Sequence, residues 1–255
     1  MVADVLPGAR RVEHVMGMPI VVDLRDADAG EDHLDMAFGE FRGVDARFST
    51  YGGDSEITRI NRGELALADA HPDVREILDR CEALRSETGG FFDVHAASPS
   101  VIEPSGLVKG WSVDRVSASL EAAGLRDFAV SAGGDVVTRG RALPDDCWRV
   151  GIQHPEIAGS IAKVVVGNDL AIATSGAYAR GNHVLDPHTG RPPDGVLSVT
   201  ITGPVLATAD AYATAAFAMG TRGPAWTARL RGYEAMTILA DGRVLSTPGF
   251  PASSL

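Results

Sequence analysis

The sequence predicts an α+β fold, and three observations lead to that prediction. The chain has 255 residues, enough to bury a sizeable core as one large domain or as two intimate lobes. Short alternating segments typical of strands are interspersed with amphipathic segments typical of helices. These segments lack the regular strand–helix–strand rhythm of a doubly wound sheet, which favours mixed or antiparallel sheets flanked by helices. Ser, Pro and Gly cluster near residues 95–107, where we expect a boundary between lobes.

The first half of the chain predicts a strand region followed by helices. Residues 10–25 alternate apolar and polar side chains and predict strand, with a break at Gly17–Pro19. Three segments then place apolar residues at helical spacing, at 32–48, 72–88 and 111–123. Pro72 suits the first turn of the second helix, because proline lacks the N–H that this turn leaves unpaired.

The second half is richer in strands. The predicted strands are 127–131, 136–139, 148–152, 161–166, 170–174, 196–202, 234–240 and 243–246. Helices are predicted at about 209–219 and 224–231.

The charge balance limits the classes of partner. The formal net charge is −11, whereas a protein that neutralises a phosphate backbone needs a basic face. We therefore expect no nucleic-acid binding. A phosphate-bearing ligand would need a metal ion, a few placed cations or backbone amides.

The sequence also argues against an extracellular scaffold or a membrane protein. Its two cysteines, Cys81 and Cys147, are too few for a disulfide framework, and Cys81 lies on the apolar stripe of a predicted helix. No basic-then-apolar export signal and no apolar run of membrane-spanning length occur in the sequence as given. Read as given, the sequence predicts a cytoplasmic protein without membrane insertion, and an exported full-length form is the alternative.

The segment from Thr208 to Thr214 suggests a cation site. Thr208 is predicted to cap a helix, with Asp210 in the first turn and Thr214 four residues later on the same face. Carboxylate and hydroxyl oxygens are hard ligands that suit Mg²⁺, and a helix N-terminus suits a diphosphate. The simpler alternative is that Asp210 complements the helix dipole and Thr214 packs.

A second segment runs from Glu103 to Asp114. Gly106 leaves its carbonyl open to a ligand, and Lys109 is predicted to open a helix, where a cation is unfavourable for the dipole. An anionic partner would explain that placement. A lysine on the surface is the alternative.

A third segment carries His183 and Asp186 just before a turn. A neutral imidazole at His183 could accept the proton of an attacking hydroxyl, although a structural histidine bonded to a carbonyl is the common alternative. A zinc site from His183, Asp186 and His188 lacks a further histidine or cysteine at usual spacing.

Two common enzyme motifs do not occur in the sequence. The Ser131–Asp135 turn lacks the GxGxxG fingerprint of dinucleotide-binding folds, and no GxSxG elbow of a serine hydrolase occurs.

Together and in order, these segments resemble the ApbE family of FAD:protein FMN transferases, from about residue 12 to 246. The motifs that carry the resemblance are Met16-Gly17, Phe48-Ser-Thr-Tyr51, Ser55-Glu-Ile57, Ile60-Asn61, Gly89-Gly-Phe-Phe-Asp93, Val108-Lys-Gly-Trp111 with Asp114, Ser131-Ala-Gly-Gly-Asp135, Trp148-Arg-Val-Gly-Ile152, Thr174-Ser-Gly176, His183-Val-Leu-Asp-Pro187 and Ala209-Asp-Ala211 with Thr214. The resemblance implies a single domain over residues 1–255.

The resemblance also implies a site. The metal would be Mg²⁺, held by the carbonyl of Gly106 and the side chains of Asp210 and Thr214. The flavin and adenine contacts implied for FAD are Met16, Tyr51, Phe91, Phe92, Asp93, Glu103, Lys109 and Leu185. Aromatic walls suit a flat flavin ring.

The implied reaction transfers FMN from FAD to a Thr or Ser hydroxyl of an acceptor protein and releases AMP. His183 or Asp186 is the candidate base. Two alternatives stay open at this point. Water could replace the acceptor, giving a FAD diphosphatase that releases FMN and AMP, or the protein could bind FAD without cleaving it.

Three departures from the family pattern lie in the sequence. Met18 stands where a threonine is common after Met-Gly, and His95–Pro99 replaces a usual Gly-Pro-Leu stretch. The loop between Gly176 and His183 is short. The second and third departures lie where an acceptor would be expected to dock.

Overall fold

The computed structural model describes residues 8–143, 146–176 and 184–253, with the last two residues described by their backbone alone. Its strands are β1 Ala9–Val15, β2 Met18–Leu24, β3 Phe128–Ala132, β4 Asp135–Arg139, β5 Trp148–Gln153, β6 Ile161–Gly167, β7 Ala171–Gly176, β8 Val196–Gly203, β9 Glu234–Leu239, β10 Val244–Ser246 and β11 Ala252–Ser253. Its α-helices are α1 Glu31–Phe48, α2 Glu56–Asn61, α3 Pro72–Glu87, α4 Ser105–Ala122, α5 Leu206–Ala218 and α6 Gly223–Thr227. Single 3-10 turns occupy Leu67–Asp69 and Gly220–Arg222.

Two antiparallel sheets form the framework. The larger has the strand order β1-β2-β3-β4-β7-β8-β9-β10, and the smaller has the order β11-β6-β5. Neighbouring strands in both sheets run antiparallel. The predicted α+β fold with antiparallel sheets and flanking helices is therefore confirmed.

The register brings several turns to one end of the large sheet. The β1–β2 hairpin turns at Met16 and Gly17, both with positive φ, where the sequence predicts a break. Ile20 pairs with Ala132, so this hairpin lies beside the turn that precedes Asp135. The amide of Thr174 on β7 contacts Asp135 at the same end.

The amphipathic helices bury the stripes that the sequence predicts. The buried side chains of α1 include Leu34, Phe38, Phe41, Val44 and Phe48, and those of α3 are Val74, Ile77, Cys81 and Leu84. One buried cluster joins these helices to strands from both halves of the chain. Burial raises the pKa of the Cys81 thiol to about 12, which agrees with a packing role. None of the helices in the described part of the chain is long and apolar enough to cross a membrane.

Two helix starts differ from the predictions, and a neighbouring carboxylate supports one of them. The helix carrying Lys109 begins at Ser105, so Lys109 lies in its second turn and does not open it. The carboxylate of Glu103 accepts from the backbone and hydroxyl of Ser105 and thereby supports this early start. The other helix, α5, begins at Leu206, so Thr208 lies inside it and is not its cap. The Asp210 side chain consequently lies beyond the first turn.

A short helix, α2, was not predicted. Ser55 caps it by accepting from the amide of Thr58 at 3.1 Å. The segment near 95–107, where a lobe boundary is predicted, contains the loop before α4 and the start of that helix. The division into lobes stays a prediction.

Candidate functional site

Lys109 on α4 places its ammonium between two buried carboxylates. Its Nζ lies 2.7 Å from Oδ2 of Asp135, at the start of β4, and 3.4 Å from Oδ1 of Asp210 on α5. The two aspartates are 1% and 2% exposed. Buried charges are costly unless they are compensated, and here one ammonium faces two carboxylates. With both carboxylates ionised, the cluster has a net negative charge, which a further cation would neutralise.

The cluster depends on a close approach of α4 and α5 at Gly110. A Cβ at this glycine would lie 2.7 Å from the carbonyl oxygen of Leu206 and 2.8 Å from Cα of Ala207. The Gly110 N–H donates to Oδ2 of Asp210 at 3.2 Å. Only a residue without a side chain allows this approach, which brings the amide and the Lys109 side chain onto one carboxylate.

The N-terminus of α5 is capped by Asp114, which corrects the hypothesis that this helix end receives a diphosphate. Asp114 Oδ1 accepts from the amide of Leu206 at 3.0 Å, and Oδ2 accepts from the amide of Ala207 at 2.8 Å. Thr208, predicted as the cap, accepts from Arg80 Nη2 at 2.6 Å. The first amides and the positive dipole end are therefore already satisfied by a carboxylate.

The electrostatics of the cluster follow from burial and mutual contact. Burial is the largest cause that raises the pKa of Asp210, to about 7, with the Lys109 ammonium lowering it and the Asp135 carboxylate raising it. Burial also lowers the pKa of Lys109, but the two carboxylates outweigh it and raise that pKa above its ordinary value. Lys109 is therefore charged at neutral pH. The protonation of Asp210, in contrast, depends on burial and on the charges of Lys109 and Asp135.

The three residues implied as metal ligands are brought together at this site. Asp210 and Thr214 lie one turn apart on α5, and a Cβ at Gly106 would lie 3.6 Å from Thr214 Oγ1. Thr214 Oγ1 is also 3.3 Å from Ser175 Oγ on β7. A carboxylate, a carbonyl and a hydroxyl are hard oxygen donors, which fits Mg²⁺.

The donor set is too small to enclose a metal by itself. The described residues contain no group of three or more His, Cys, Asp or Glu side chains that could hold a metal ion. A magnesium ion at Asp210 would therefore need backbone, hydroxyl, phosphate or water oxygens to complete its octahedron.

A second cluster surrounds Phe91. The ring packs edge-on against His188, with 4.5 Å between centroids, and the Arg222 guanidinium lies 4.7 Å from its centroid. The ring nitrogen Nε2 of His188 is 3.1 Å from the Gly89 carbonyl oxygen, so this histidine joins the 89–93 segment to the turn after Asp186. Phe91 is thus fixed by an aromatic contact and a cation–π contact.

Both oxygens of Asp186, a candidate base, have partners. Oδ1 accepts from the His188 amide at 2.9 Å, and Oδ2 accepts from Arg222 Nη2 at 3.3 Å. This carboxylate lies on the wall of a cavity of about 500 Å³ that is also lined by residues 191–194 and 218–222. These contacts suit a role for Asp186 in stabilising the turn better than a role as proton acceptor. His183, the other candidate base, lies outside the described residues.

The remaining candidate flavin and adenine residues are spread around these clusters. Phe92 is buried, with its ring edge 3.2 Å from a Cβ placed at Gly106, and Asp93 accepts from Arg85 Nε at 3.2 Å. Leu185 is half-buried, whereas Glu103 is exposed and bonded to Ser105. Met16 is half-buried in the β1–β2 turn, and Tyr51 is 96% exposed, with no packing of its own.

Sequence reasoning missed several residues of the site, of which Asp135 is the most important. The Ser131–Asp135 turn lacks a dinucleotide-binding fingerprint, but its Gly133 and Gly134 adopt φ values of 58° and 99°, which favour glycine. This turn positions Asp135 against Lys109. Ser175, Arg222 and the capping role of Asp114 were also missed, because each acts through a contact distant in sequence.

Comparisons with known proteins agree with this fold and these motifs. The model of the ApbE family matches residues 16–102 and 95–237. The curated relatives that this chain matches include three bacterial proteins named FAD:protein FMN transferase. The protein from Vibrio cholerae is 35% identical over 129 residues, covering 47% of this chain and 39% of the relative. The protein from Salmonella typhimurium is 30% identical over 156 residues, covering 57% of this chain and 45% of the relative. The protein from Treponema pallidum is 30% identical over 225 residues, covering 78% of this chain and 62% of the relative. The matched part of the chain thus spans less than half the length of the first two relatives.

Solved structures share the fold. The flavin transferase ApbE from Vibrio cholerae superposes with a TM-score of 0.84 at 22% identity, covering 95% of this chain and 97% of that one. The ApbE protein from Thermotoga maritima gives a TM-score of 0.82 at 21% identity, covering 96% and 99%. At such identities the likeness concerns the fold. The family model, however, extends over most of the sequence, and the chain belongs to the ApbE family.

Proposed function

We propose that this protein transfers the FMN half of FAD to a Thr or Ser hydroxyl of an acceptor protein, with Mg²⁺ as cofactor and AMP as the second product. The observation that carries the proposal is the buried cluster of Lys109, Asp135 and Asp210 beside Gly106 and Thr214. It joins an ammonium to a hard-oxygen donor set, as a metal-bound diphosphate requires. The names of the curated relatives support the same reaction.

The reaction balances as a phosphoryl substitution. The acceptor oxygen forms a bond to the flavin-side phosphorus, and the bond from that phosphorus to the bridging oxygen breaks, so AMP leaves with the bridging oxygen. The hydroxyl proton passes to a base, for which His183 is the candidate. When bound, Mg²⁺ supplies electrostatic stabilisation of the negative charge on the diphosphate oxygens.

The residues of the chain divide the remaining tasks. Asp210, Thr214 and the Gly106 carbonyl would hold the metal, and the Lys109 ammonium would face the phosphate oxygens. Phe91, supported by His188 and Arg222, offers an aromatic surface to a ring of the dinucleotide. Asp186 supports this role by anchoring Arg222.

The test is to incubate the protein with FAD, Mg²⁺ and a candidate acceptor protein. The acceptor is weighed by mass spectrometry and the small molecules are separated by chromatography. We expect the acceptor to gain the mass of FMN less one water, with one AMP released per modified side chain. Asp210→Asn should abolish both signals, whereas Asp241→Asn, a change of the same kind at an exposed residue, should leave them unchanged.

Other outcomes identify the alternatives. Free FMN and AMP at the same rate with or without acceptor would indicate a diphosphatase. FAD that binds and stays intact would indicate a flavin-binding protein without this chemistry.

A further inference from the structure

The position of Lys109 within its cluster is asymmetric. Its ammonium is 2.7 Å from Asp135 but 3.4 Å from Asp210, although both carboxylates are buried. The Asp135 carboxylate is itself fixed, because Oδ1 accepts from the Thr174 amide at 3.0 Å while Oδ2 faces Lys109. The ammonium thus pairs first with the carboxylate outside the proposed metal ligand set.

The choice of residue agrees with a need for a compact charge. Of the 23 basic Lys and Arg residues in the sequence, two are lysines, Lys109 and Lys163. An arginine would present a planar fork that pairs with a carboxylate through two bonds, whereas an ammonium is a point charge on a flexible stem. A lysine can therefore remain beside Asp210 without occupying both of its oxygens.

We infer that Asp135 is a positioning residue that holds the Lys109 ammonium beside the Asp210 carboxylate instead of on it, so that Asp210 can bind a divalent cation. This inference rests on the proposed metal site at Asp210. If the charge of Asp135 is removed, the nearest remaining carboxylate to Lys109 is that of Asp210. A cation would then have to displace the ammonium before it could bind.

The direct test measures Mn²⁺ binding without FAD, through the electron paramagnetic resonance signal of free Mn²⁺, with Mg²⁺ as competitor. Asp135→Asn should weaken Mn²⁺ binding by about tenfold or more, because the ammonium then competes with the cation for Asp210. In a Lys109→Met background the same substitution should change the affinity by less than about threefold, since the competing charge is gone. Asp241→Asn serves as the control for loss of an exposed carboxylate.

The double substitution separates the inference from a general charge effect. If Asp135→Asn weakens Mn²⁺ binding equally with Lys109 and with Met at that position, Asp135 attracts the cation directly and the inference is wrong. Unchanged affinity in the Asp135→Asn variant would also overturn it. Two results would refute the proposed metal site, and the inference with it. One is wild-type affinity for Mn²⁺ in the Asp210→Asn variant, and the other is no Mn²⁺ binding by the wild-type protein.

A second measurement leaves Lys109, Asp135 and Asp210 unchanged and so avoids variants of the cluster that do not fold. With two lysines in the sequence, nitrogen-15 NMR of the ammonium groups has two signals to assign, and Lys163→Met identifies the Lys109 signal. We expect a Lys109 signal whose ammonium protons exchange slowly with solvent. It should persist when Mg²⁺ is added, because the ammonium stays paired with Asp135. Loss of that signal to fast exchange on adding Mg²⁺ would show that the ammonium had been held by Asp210.

Discussion

The carboxylate of Asp114 caps the helix that begins at Leu206, ninety-two residues later in the chain. Its two oxygens accept from the first two amides of α5, and its own helix, α4, carries Lys109. The cap therefore fixes the position of the helix that carries Asp210 relative to the helix that carries the ammonium. Helix capping, which usually concerns adjacent residues, here joins the two halves of the site.

Asp114→Ala should destabilise the protein by about 0.5–2 kcal/mol, the usual effect of losing a helix cap. Asp114→Asn should be milder, because the amide oxygen still accepts one bond. Urea unfolding followed by circular dichroism measures both, with Asp79→Ala on the exposed face of α3 as control. Equal stability of Asp114→Ala and wild type would mean that the cap contributes nothing.

Gly110→Ala should destabilise the protein by about 1–3 kcal/mol, because the added methyl meets the backbone of α5 and not a flexible side chain. Gly39→Ala is the matched control, since it is also helical and a Cβ there meets nothing within 4 Å. That control should be neutral or stabilise by about 0.4–1 kcal/mol. Thermal unfolding of the two variants checks the prediction. Similar midpoints for both would contradict the close contact of α4 and α5.

Asp210→Ala should abolish Mg²⁺-dependent turnover of FAD while the fold persists, since Lys109 keeps Asp135 as its partner. Thr214→Ala should be milder, because water can replace a neutral hydroxyl ligand. Initial rates over a range of Mg²⁺ concentrations, with circular dichroism of each variant, provide the measurement. Normal turnover by Asp210→Ala at limiting Mg²⁺ would place the metal elsewhere.

The metal-free protein should lose stability, relative to Asp210→Asn, as the pH rises from about 4 to about 7. Burial raises the pKa of Asp210 from 3.8 to about 7, so over this interval the unfolded chain releases a proton that the folded chain retains. Folding is then linked to proton uptake, which is less favourable at higher pH. Urea unfolding in EDTA at several pH values measures the difference. A difference that does not change with pH would show that the carboxyl has an ordinary pKa.

His183→Ala should lower the transfer rate by roughly 10²–10⁴-fold, with FAD affinity nearly unchanged, if this residue accepts the hydroxyl proton. Asp186→Asn should cost less than His183→Ala, because both Asp186 oxygens are already engaged with His188 and Arg222. Single-turnover rates with an acceptor protein compare the two. A larger loss for Asp186→Asn would make the aspartate the base.

Much of the fold and part of the site could be predicted from local patterns. The α1 and α3 stripes and the break between β1 and β2 depend on neighbours a few residues apart, so periodicity and turn residues predicted them. The proposed ligands Asp210 and Thr214 were also local, being four residues apart on one helix. Family motifs then linked these segments to Gly106 and Lys109.

Tertiary structure decided the rest. The start of α5 at Leu206 and the role of Asp114 depend on a carboxylate from another helix, and no local spacing reveals such a partner. The pairing of Lys109 with Asp135 likewise requires the glycine turn before β4 to lie against a lysine on α4. The sequence by itself determined the residue types and the location of most helices and strands, because periodicity is a local property. Folding decided whether each buried charge serves as a ligand, a cap or a counter-ion. The reason is that the electrostatic energy of a buried charge depends on which other charges lie within a few ångströms of it.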